Sequence, residues 1–564
     1  MPLNWIRMRG IVSSVKPIIL YDTTLRDGSQ SEDVLFSVVD KVRIAKRLDA
    51  MGMDFIEGGW PGANPTDSAF FQEIKRHPLS HSRVVAFGST KRPKTSVEAD
   101  PVLDGLLRTE TGAITLFGKS WTLHVTEALG IELSENLALI YDSIRYLKER
   151  VDIVFFDAEH FFDGFKADTD YAMEVLQTAK DAGADCLVLC DTNGGCLVPE
   201  LEAITQHVAR FSSERTNHPI PWGIHCHNDA GLAVANTLAA VHAGTTHVQG
   251  TINGLGERCG NADMVAIIPN LLLKMGRVAS VTPQKLTQLT ELSRFVDEIA
   301  NRVPQKNQPF VGASAFAHKG GIHVSAVLKN TLTYEHIHPE QVGNQQKIVI
   351  SEQSGRSNLL FKLAEFGLVD LDPQDPRLNS LLEELKGLEH QGFQFAGAEA
   401  SFELRALELF GRLPDYFQPK GFRVIDERRV SANNERAMGA EATVKLLLGE
   451  RLIHLVGEGA GPVNALHTAL CRALEEHYPQ VNDMHLVDYK VRILSGGGTE
   501  AKVRVLTEWQ DNQHNWGTVG VSDHIIAASY DAMVDAVRFK LYKDGVSPAW
   551  EKNKLRLSQS DGRF

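Results

Sequence analysis

The 564-residue sequence contains no apolar run approaching the roughly 20 residues needed to cross a bilayer, so none of its helices is expected to span a membrane. Cysteine is scarce. The six residues Cys186, Cys190, Cys196, Cys226, Cys259 and Cys471 form no CxxC pair, and five fall in one stretch of apolar runs and turns. That usage suits reduced thiols and a cytoplasmic protein rather than a disulfide framework. No basic run with interleaved aromatics occurs and the net charge is −13, which argues against a nucleic-acid partner. The first sixteen residues carry Arg7, Arg9 and Lys16 but lack the apolar core of a signal peptide. A glycine-rich GxGxxG turn after the first β-rich run is also missing, which disfavours an open doubly wound dinucleotide fold.

What is present is the composition of an ordinary globular protein, with 43% hydrophobic and 23% charged residues. The length exceeds one core and predicts a large domain with at least one smaller companion. From Pro17 to Gly276 a short apolar β-rich run alternates with a helical pattern eight times. The runs begin at IILYDTTLRDG (18–28), DFIEGGW (54–60), RVVAFGS (83–89) and AITLFGKS (113–120). They continue at DIVFFDAEH (152–160), DCLVLCDTNGG (185–195), PWGIHCHND (221–229) and HVQGTINGLGE (247–257). Intervening segments such as SVVDKVRIAKRLDAMG and ENLALIYDSIRYLKER place apolar residues at i, i+3 and i+4, one buried helical face. Strands apolar on both faces and joined by crossover helices form a parallel sheet. Eight such units in a barrel-sized stretch predict a closed (β/α)8 TIM barrel over 17–280.

A barrel of this kind does its chemistry where strands end, and polar residues gather there. The first run ends in Arg26 and Asp27, the second in Glu57, and the fifth in Asp157 and Glu159. The sixth ends in Asp191, Thr192 and Asn193, the seventh carries His225, His227, Asn228 and Asp229, and the eighth leads to Asn253, Glu257 and Asn261. His225 and His227 are two apart on a strand and share a side. With Asp27 on the first strand they can hold one cation and leave about three positions for substrate and water. Mixed N/O ligation suits Mg²⁺, Mn²⁺, Co²⁺ or Zn²⁺. The alternative is a pair of hydrogen-bonded core histidines. Arg26 can stabilise negative charge on a metal-bound carbonyl oxygen, or simply pair with Asp27 or Glu57.

Three strings carry a resemblance: YDTTLRDGSQ (21–30), HCHNDAGLAVANTLAAVHAGTTHVQGTINGLGERCGN (225–261) and VGASAFAHKGGIHVSAVLKN (311–330). They are similar to the 2-isopropylmalate, homocitrate and citramalate synthase family, acyl-CoA-dependent metal enzymes on a TIM barrel. Within it EGGWPGANPTDSAFF (57–71) resembles the citramalate-forming members, which implies condensation of acetyl-CoA with pyruvate and water on the way to isoleucine. The resemblance implies Asp27, His225, His227 and Asn261 as metal ligands, Arg26 and Thr192 as holders of the 2-oxo acid, and Glu159 as an active-site glutamate. It implies His323 as the base for acetyl-CoA with Tyr334 in support, reached from a partner subunit in a homodimer. One departure stands out: this chain has Ile-His-Val-Ser-Ala where isopropylmalate synthases tend to read IHQDG. Taken without the resemblance, Glu159 suits a pair with a barrel lysine and Tyr334 ordinary packing.

After the barrel, 281–420 reads as helical linker subdomains, including an amphipathic helix in LDPQDPRLNSLLEELKGLEHQG. From 421 to 550 two rounds of strands followed by a helix predict a small α+β domain with internal symmetry. GEGAGP (457–462) lacks the lysine of a phosphate cradle and reads as a tight turn with Pro462 at the first helical position. This domain resembles the family's regulatory domain, which implies isoleucine as effector; its bland alternative is dimerisation alone. Residues 1–16 and 551–564 read as an extension and a tail. The rival functions are a synthase using another 2-oxo acid, a metal-dependent aldolase- or carboxylase-like lyase, and a non-catalytic amino-acid sensor.

Overall fold

The computed structural model describes residues 16–215, 220–349, 355–430, 436–494 and 501–550. The expected tail, and all of the expected extension but Lys16, lie outside these. The chain divides into two compact units, 1–316 with 335–346, and 317–334 with 347–564. The stretch read as linkers is therefore shared between the units.

In the first unit eight parallel strands close on themselves in chain order. They are β1 (Ile19–Asp22), β2 (Phe55–Gly59), β3 (Arg83–Ser89), β4 (Ala113–Lys119), β5 (Ile153–Glu159), β6 (Cys186–Asp191), β7 (Trp222–Cys226) and β8 (His247–Gly250). Closure is made by β1 on β8, from Ile19 opposite His247 to Asp22 opposite Gly250, so no edge is left unpaired. Four of the helices around the barrel start on side-chain caps: a Ser37–Asp40 capping box opens Val38–Met51, and Asn64, Asp100 and Asp168 cap Pro65–Ile74, Pro101–Leu107 and Thr169–Asp181.

Alternation along each strand sorts the side chains. Leu20, Ile56, Val154, Leu187, Ile224 and Val248 face outward and join the core under the helices. Tyr21, Phe55, Val85, Phe155, Val188 and Cys190 face inward and make a separate apolar plug inside the barrel. One step further along the same inward rows come Glu57, Phe87, Phe117, Asp157, Thr192 and His225, so the register that fills the pore floor also selects what stands at its mouth.

The second unit contains helices Gly321–Val327, Arg356–Glu365, Pro376–His390 and Glu399–Leu409. Beyond them lie two antiparallel three-stranded sheets, β9 (Gln418–Val430), β10 (Arg436–Leu448) and β11 (Arg451–Gly459), then β12 (His485–Ile493), β13 (Val503–Gln510) and β14 (Asn515–Ser522). Each sheet is followed by a helix, Pro462–Leu474 and Ile525–Lys543, which gives the internal repeat expected from the sequence. Two glycines of GEGAGP serve close packing: a Cβ on Gly457 would sit 2.3 Å from the amide nitrogen of Ala469, and one on Gly459 2.5 Å from that of Ala465. Pro462 takes the first helical position after Gly461.

One carboxylate braces the barrel. Asp49, near the end of helix Val38–Met51, accepts from the backbone N–H of Ser80 (2.9 Å), His81 (2.8 Å) and Ser82 (2.7 Å) and from the Ser80 hydroxyl (2.8 Å). Burial pushes its pKa up, but these donors outweigh it and hold it at about 2. Because the folded value lies below the unfolded one, the stabilisation is complete above about pH 4 and is lost as pH falls through about 2. Asp49→Ala is expected to lower the stability of the barrel transition by about 2–3 kcal/mol at pH 7 in urea denaturation. The difference between wild type and variant should shrink toward pH 2.

Candidate active site

The seven-residue strand β5 and the short strand β7 reach the pore mouth, and two-residue spacing aims Asp157 and Glu159, and His225 and His227, inward. The first strand does not extend as far as the sequence implied. β1 stops at Asp22, whose side chain turns back to accept from Thr24 N and Thr24 Oγ1, both at 2.9 Å. Thr23 O then accepts from the amides of Arg26, Asp27 and Gly28, closing a tight turn. Asp27 is therefore delivered by the turn after β1 and not by the strand itself.

The turn brings Asp27 onto the histidine pair. Its Oδ2 lies 3.2 Å from Nε2 of His225 and 4.0 Å from Nε2 of His227, and all three residues are buried. One donor atom from each lies within 4.8 Å of the others. His225 Nδ1 is 2.9 Å from Gln249 Oε1 and donates to it, so Nε2 is the ring atom that faces the carboxylate, and it offers a lone pair to a cation once it gives up the proton that Asp27 holds on the ring against the pull of burial. Oδ2 of Asp27 and Oδ1 of Asn261 are buried with no hydrogen-bond partner. Burial would raise the Asp27 pKa, but Arg26 and His225 outweigh it and hold the group ionised. Burial and then His225 push His227 down to about 4, so its ring is neutral at pH 7. A satisfied core would not leave these acceptors unpaired; a divalent cation fits them, and their N/O chemistry suits one. Asn261 joins from the loop after β8: a bridge pairs it with His227, and its Nδ2 donates to Leu255 O at 3.1 Å, leaving Oδ1 for another partner.

Arg26 makes both ion pairs anticipated for it, Nε to Glu57 Oε1 at 2.6 Å and Nη1 to Asp27 Oδ2 at 3.5 Å. Its guanidinium also lies 3.8 Å from the centre of the Phe87 ring. The other Glu57 oxygen accepts from the Tyr21 hydroxyl at 2.6 Å. Arg26 is thus pinned on two sides while still lining a cavity of about 210 Å³. Asp27, Glu159, Thr192, His225 and His227 line the same cavity. Thr192 Oγ1 accepts from His160 N at 2.9 Å, which leaves its own proton free to donate. Glu159 pairs with Lys119, the barrel lysine foreseen as the bland partner.

His323 and Tyr334 belong to the second unit. Their rings stack with centroids 4.1 Å apart and both side chains are exposed, so the pair is formed within that unit. The structure does not bring them into the cavity's lining.

Several lining residues escaped the sequence. Trp60, Phe87 and Phe117 form one aromatic wall, with Phe87 and Phe117 stacked at 5.3 Å and Trp60 edge-on to both. Counting by twos along β3 and β4 would have found Phe87 and Phe117. Arg258 could not have been found that way. It bonds Asp229 through Nε (2.8 Å) and Nη2 (3.0 Å) and Thr192 O through Nη2 (2.6 Å), tying three loops far apart in the chain.

Three family models match the chain: HMGL-like over 17–296, a homocitrate synthase post-HMGL domain-like segment over 310–392, and a LeuA allosteric (dimerisation) domain over 402–541. Curated relatives include an (R)-citramalate synthase of Geobacter sulfurreducens, 52% identical over 93% of this chain and 97% of its own. Proteins of the same name from Aquifex aeolicus (51%, 93% and 98%) and Synechocystis sp. (52%, 93% and 96%) match over similar spans.

Glu57 has no exposed surface, so truncating it takes from Arg26 its shorter ion pair and from the Tyr21 hydroxyl one of its two partners, the other being Thr115 Oγ1 at 2.7 Å. Glu57→Ala is expected to cost about 3–5 kcal/mol of stability, and Glu57→Gln, which keeps an acceptor, less. Thermal unfolding of both variants beside wild type checks the order.

Proposed function

The chain belongs to the (R)-citramalate synthase family, and from that premise we propose that it condenses acetyl-CoA with pyruvate and water to give (R)-citramalate and CoA. The observation that carries this is the convergence of Asp27, His225 and His227 beside Arg26 in a walled cavity. These three residues would hold a divalent cation, Mg²⁺, Mn²⁺, Co²⁺ or Zn²⁺, with Asn261 Oδ1 as a weaker fourth ligand. When bound, the cation would supply Lewis-acid polarisation of the 2-oxo acid.

The protein's own groups account for the rest. Arg26, held rigidly by Glu57 and Phe87, presents donors to the keto oxygen as it gains charge and costs no reorganisation at that moment. The free proton of the Thr192 hydroxyl suits the pyruvate carboxylate. The Trp60–Phe87–Phe117 wall occupies space that a longer alkyl group would need, which favours a methyl ketone. A base must take a proton from the acetyl methyl so that its carbon can bond to C2 of pyruvate. His323, braced by its stack on Tyr334, is assigned that role, acting at a partner subunit's barrel, and Glu159 is assigned a place beside it. The new alkoxide takes up a proton, and water then cleaves the thioester and releases CoA.

The second unit matches an allosteric (dimerisation) domain, and we assign it the homodimer contact and feedback by isoleucine. Millimolar isoleucine is expected to inhibit and leucine to act less; activity unchanged by both contradicts the regulatory assignment. Release of free thiol from acetyl-CoA, assayed with a panel of 2-oxo acids, tests the reaction. Pyruvate should exceed 2-oxoisovalerate and 2-oxoglutarate in kcat/KM by at least about 10–200-fold, the discrimination one methylene supports. Arg26→Ala should lose about 10²–10³ in kcat. A preference for 2-oxoisovalerate or 2-oxoglutarate would make it a 2-isopropylmalate or homocitrate synthase instead, and thiol release by no 2-oxo acid would contradict the synthase reading.

A further inference from the structure

Gln249 is fully buried on β8 and stands behind His225, outside the cavity's lining. Alternation on the short strand points it inward beside His247, whose ring is enclosed between Tyr21 and Phe155 with centroids 5.1 Å from each. The carboxamide has one accepting end and one donating end. Its Nε2 donates to Asp157 Oδ1 at 3.1 Å, and His247 Nε2 lies 3.4 Å away as a second acceptor. Turning the amide over would set its oxygen against Asp157 Oδ1, which accepts it only when that carboxyl is protonated; burial and Glu57 push the carboxyl up to about 7. With Asp157 ionised the oxygen faces Nδ1 of His225, at 2.9 Å.

An imidazole can bind a cation through Nε2 only if the neutral ring carries its proton on Nδ1, and a histidine that donates that proton to a fixed acceptor is held in one tautomer and one orientation. We infer that Gln249 is a positioning residue which, given the cation site proposed above, locks His225 in the tautomer and ring angle that aim Nε2 at Asp27. Asp157 acts one step further back by fixing which way the amide faces. Neither residue need touch substrate for this.

The test is Mn²⁺ affinity rather than turnover. The full-length protein is stripped with a chelator and titrated with Mn²⁺ calorimetrically, as wild type, Gln249→Met, the double variant Gln249→Glu with Asp157→Asn, and Asp27→Asn. Gln249→Met, of similar length but without the amide, should weaken Mn²⁺ binding about 10–100-fold. The double variant, which keeps an oxygen opposite Nδ1 and gives the second oxygen an N–H in place of a carboxylate, should recover most of that loss, whereas a merely structural role would not be rescued in this way. Gln249→Met binding within twofold of wild type while Asp27→Asn loses binding overturns the inference and leaves the cation site standing. An Asp27→Asn protein that binds like wild type removes the cation site and the inference with it. If Gln249→Met does not fold, Asp157→Asn gives the same readout. Its new N–H can donate to Gln249 Oε1, turn the amide and reverse the His225 tautomer, so the same weakening is expected and unchanged affinity overturns the inference.

Discussion

A buried carboxylate oxygen facing two imidazole nitrogens is the arrangement on which the rest of this barrel depends. In water such groups would be solvated; inside a protein, unpaired acceptors cost a few kcal/mol each unless something positive joins them. Arg26 and His225 hold the carboxylate ionised without filling the space between it and the rings. Arg26 approaches Asp27 no closer than 3.5 Å and is drawn instead to Glu57 at 2.6 Å. Gln249 takes the Nδ1 proton of His225, so only Nε2 faces the carboxylate. The site keeps its acceptors free, which breaks the ordinary rule of polar satisfaction in the place where function is expected to break it.

Around this centre the barrel supplies rigidity of two kinds. Below, Tyr21, Phe155 and their neighbours fill the pore with buried apolar side chains. Above, loops are tied to one another rather than left to pack loosely. Ser31 and Gly256 exchange hydrogen bonds between the loops after β1 and β8, and Arg258 spans those after β6, β7 and β8. Positive φ at Arg258 and at Gly254, Gly256 and Gly260 shows how sharply that last loop turns; at Gly260 a Cβ would meet Gly254 O at 2.0 Å. Such turns place Asn261 beside His227 without a strand to carry it.

Much of this was legible in the sequence because β/α units announce themselves by period. Eight apolar runs separated by amphipathic helices gave the closed barrel, and two-residue spacing gave His225 and His227 a common face. Where the chain leaves regular structure, legibility ends. The position of Asp27 depends on Asp22 folding back on Thr24, a local hydrogen bond that competes with strand extension, so the strand was read as longer than it is. Gln249 was passed over although it obeys the same alternation as His225, because a glutamine carries no charge to draw notice. Arg258 depends on contacts more than twenty residues away in sequence. Glu159 illustrates the opposite case: the lysine partner anticipated on general grounds is there, two residues after Phe117. His323 and Tyr334 were paired only through resemblance, and their stack within the second unit leaves their action at a barrel to assembly.

The central claim is that Asp27, His225 and His227 together bind one divalent ion. Anomalous diffraction from crystals of the full-length protein soaked in Mn²⁺, recorded at the manganese edge, tests it most directly. The account predicts one strong anomalous peak in coordination contact with all three side chains. Catalytically competent crystals with no peak there, or with their manganese elsewhere, would contradict it.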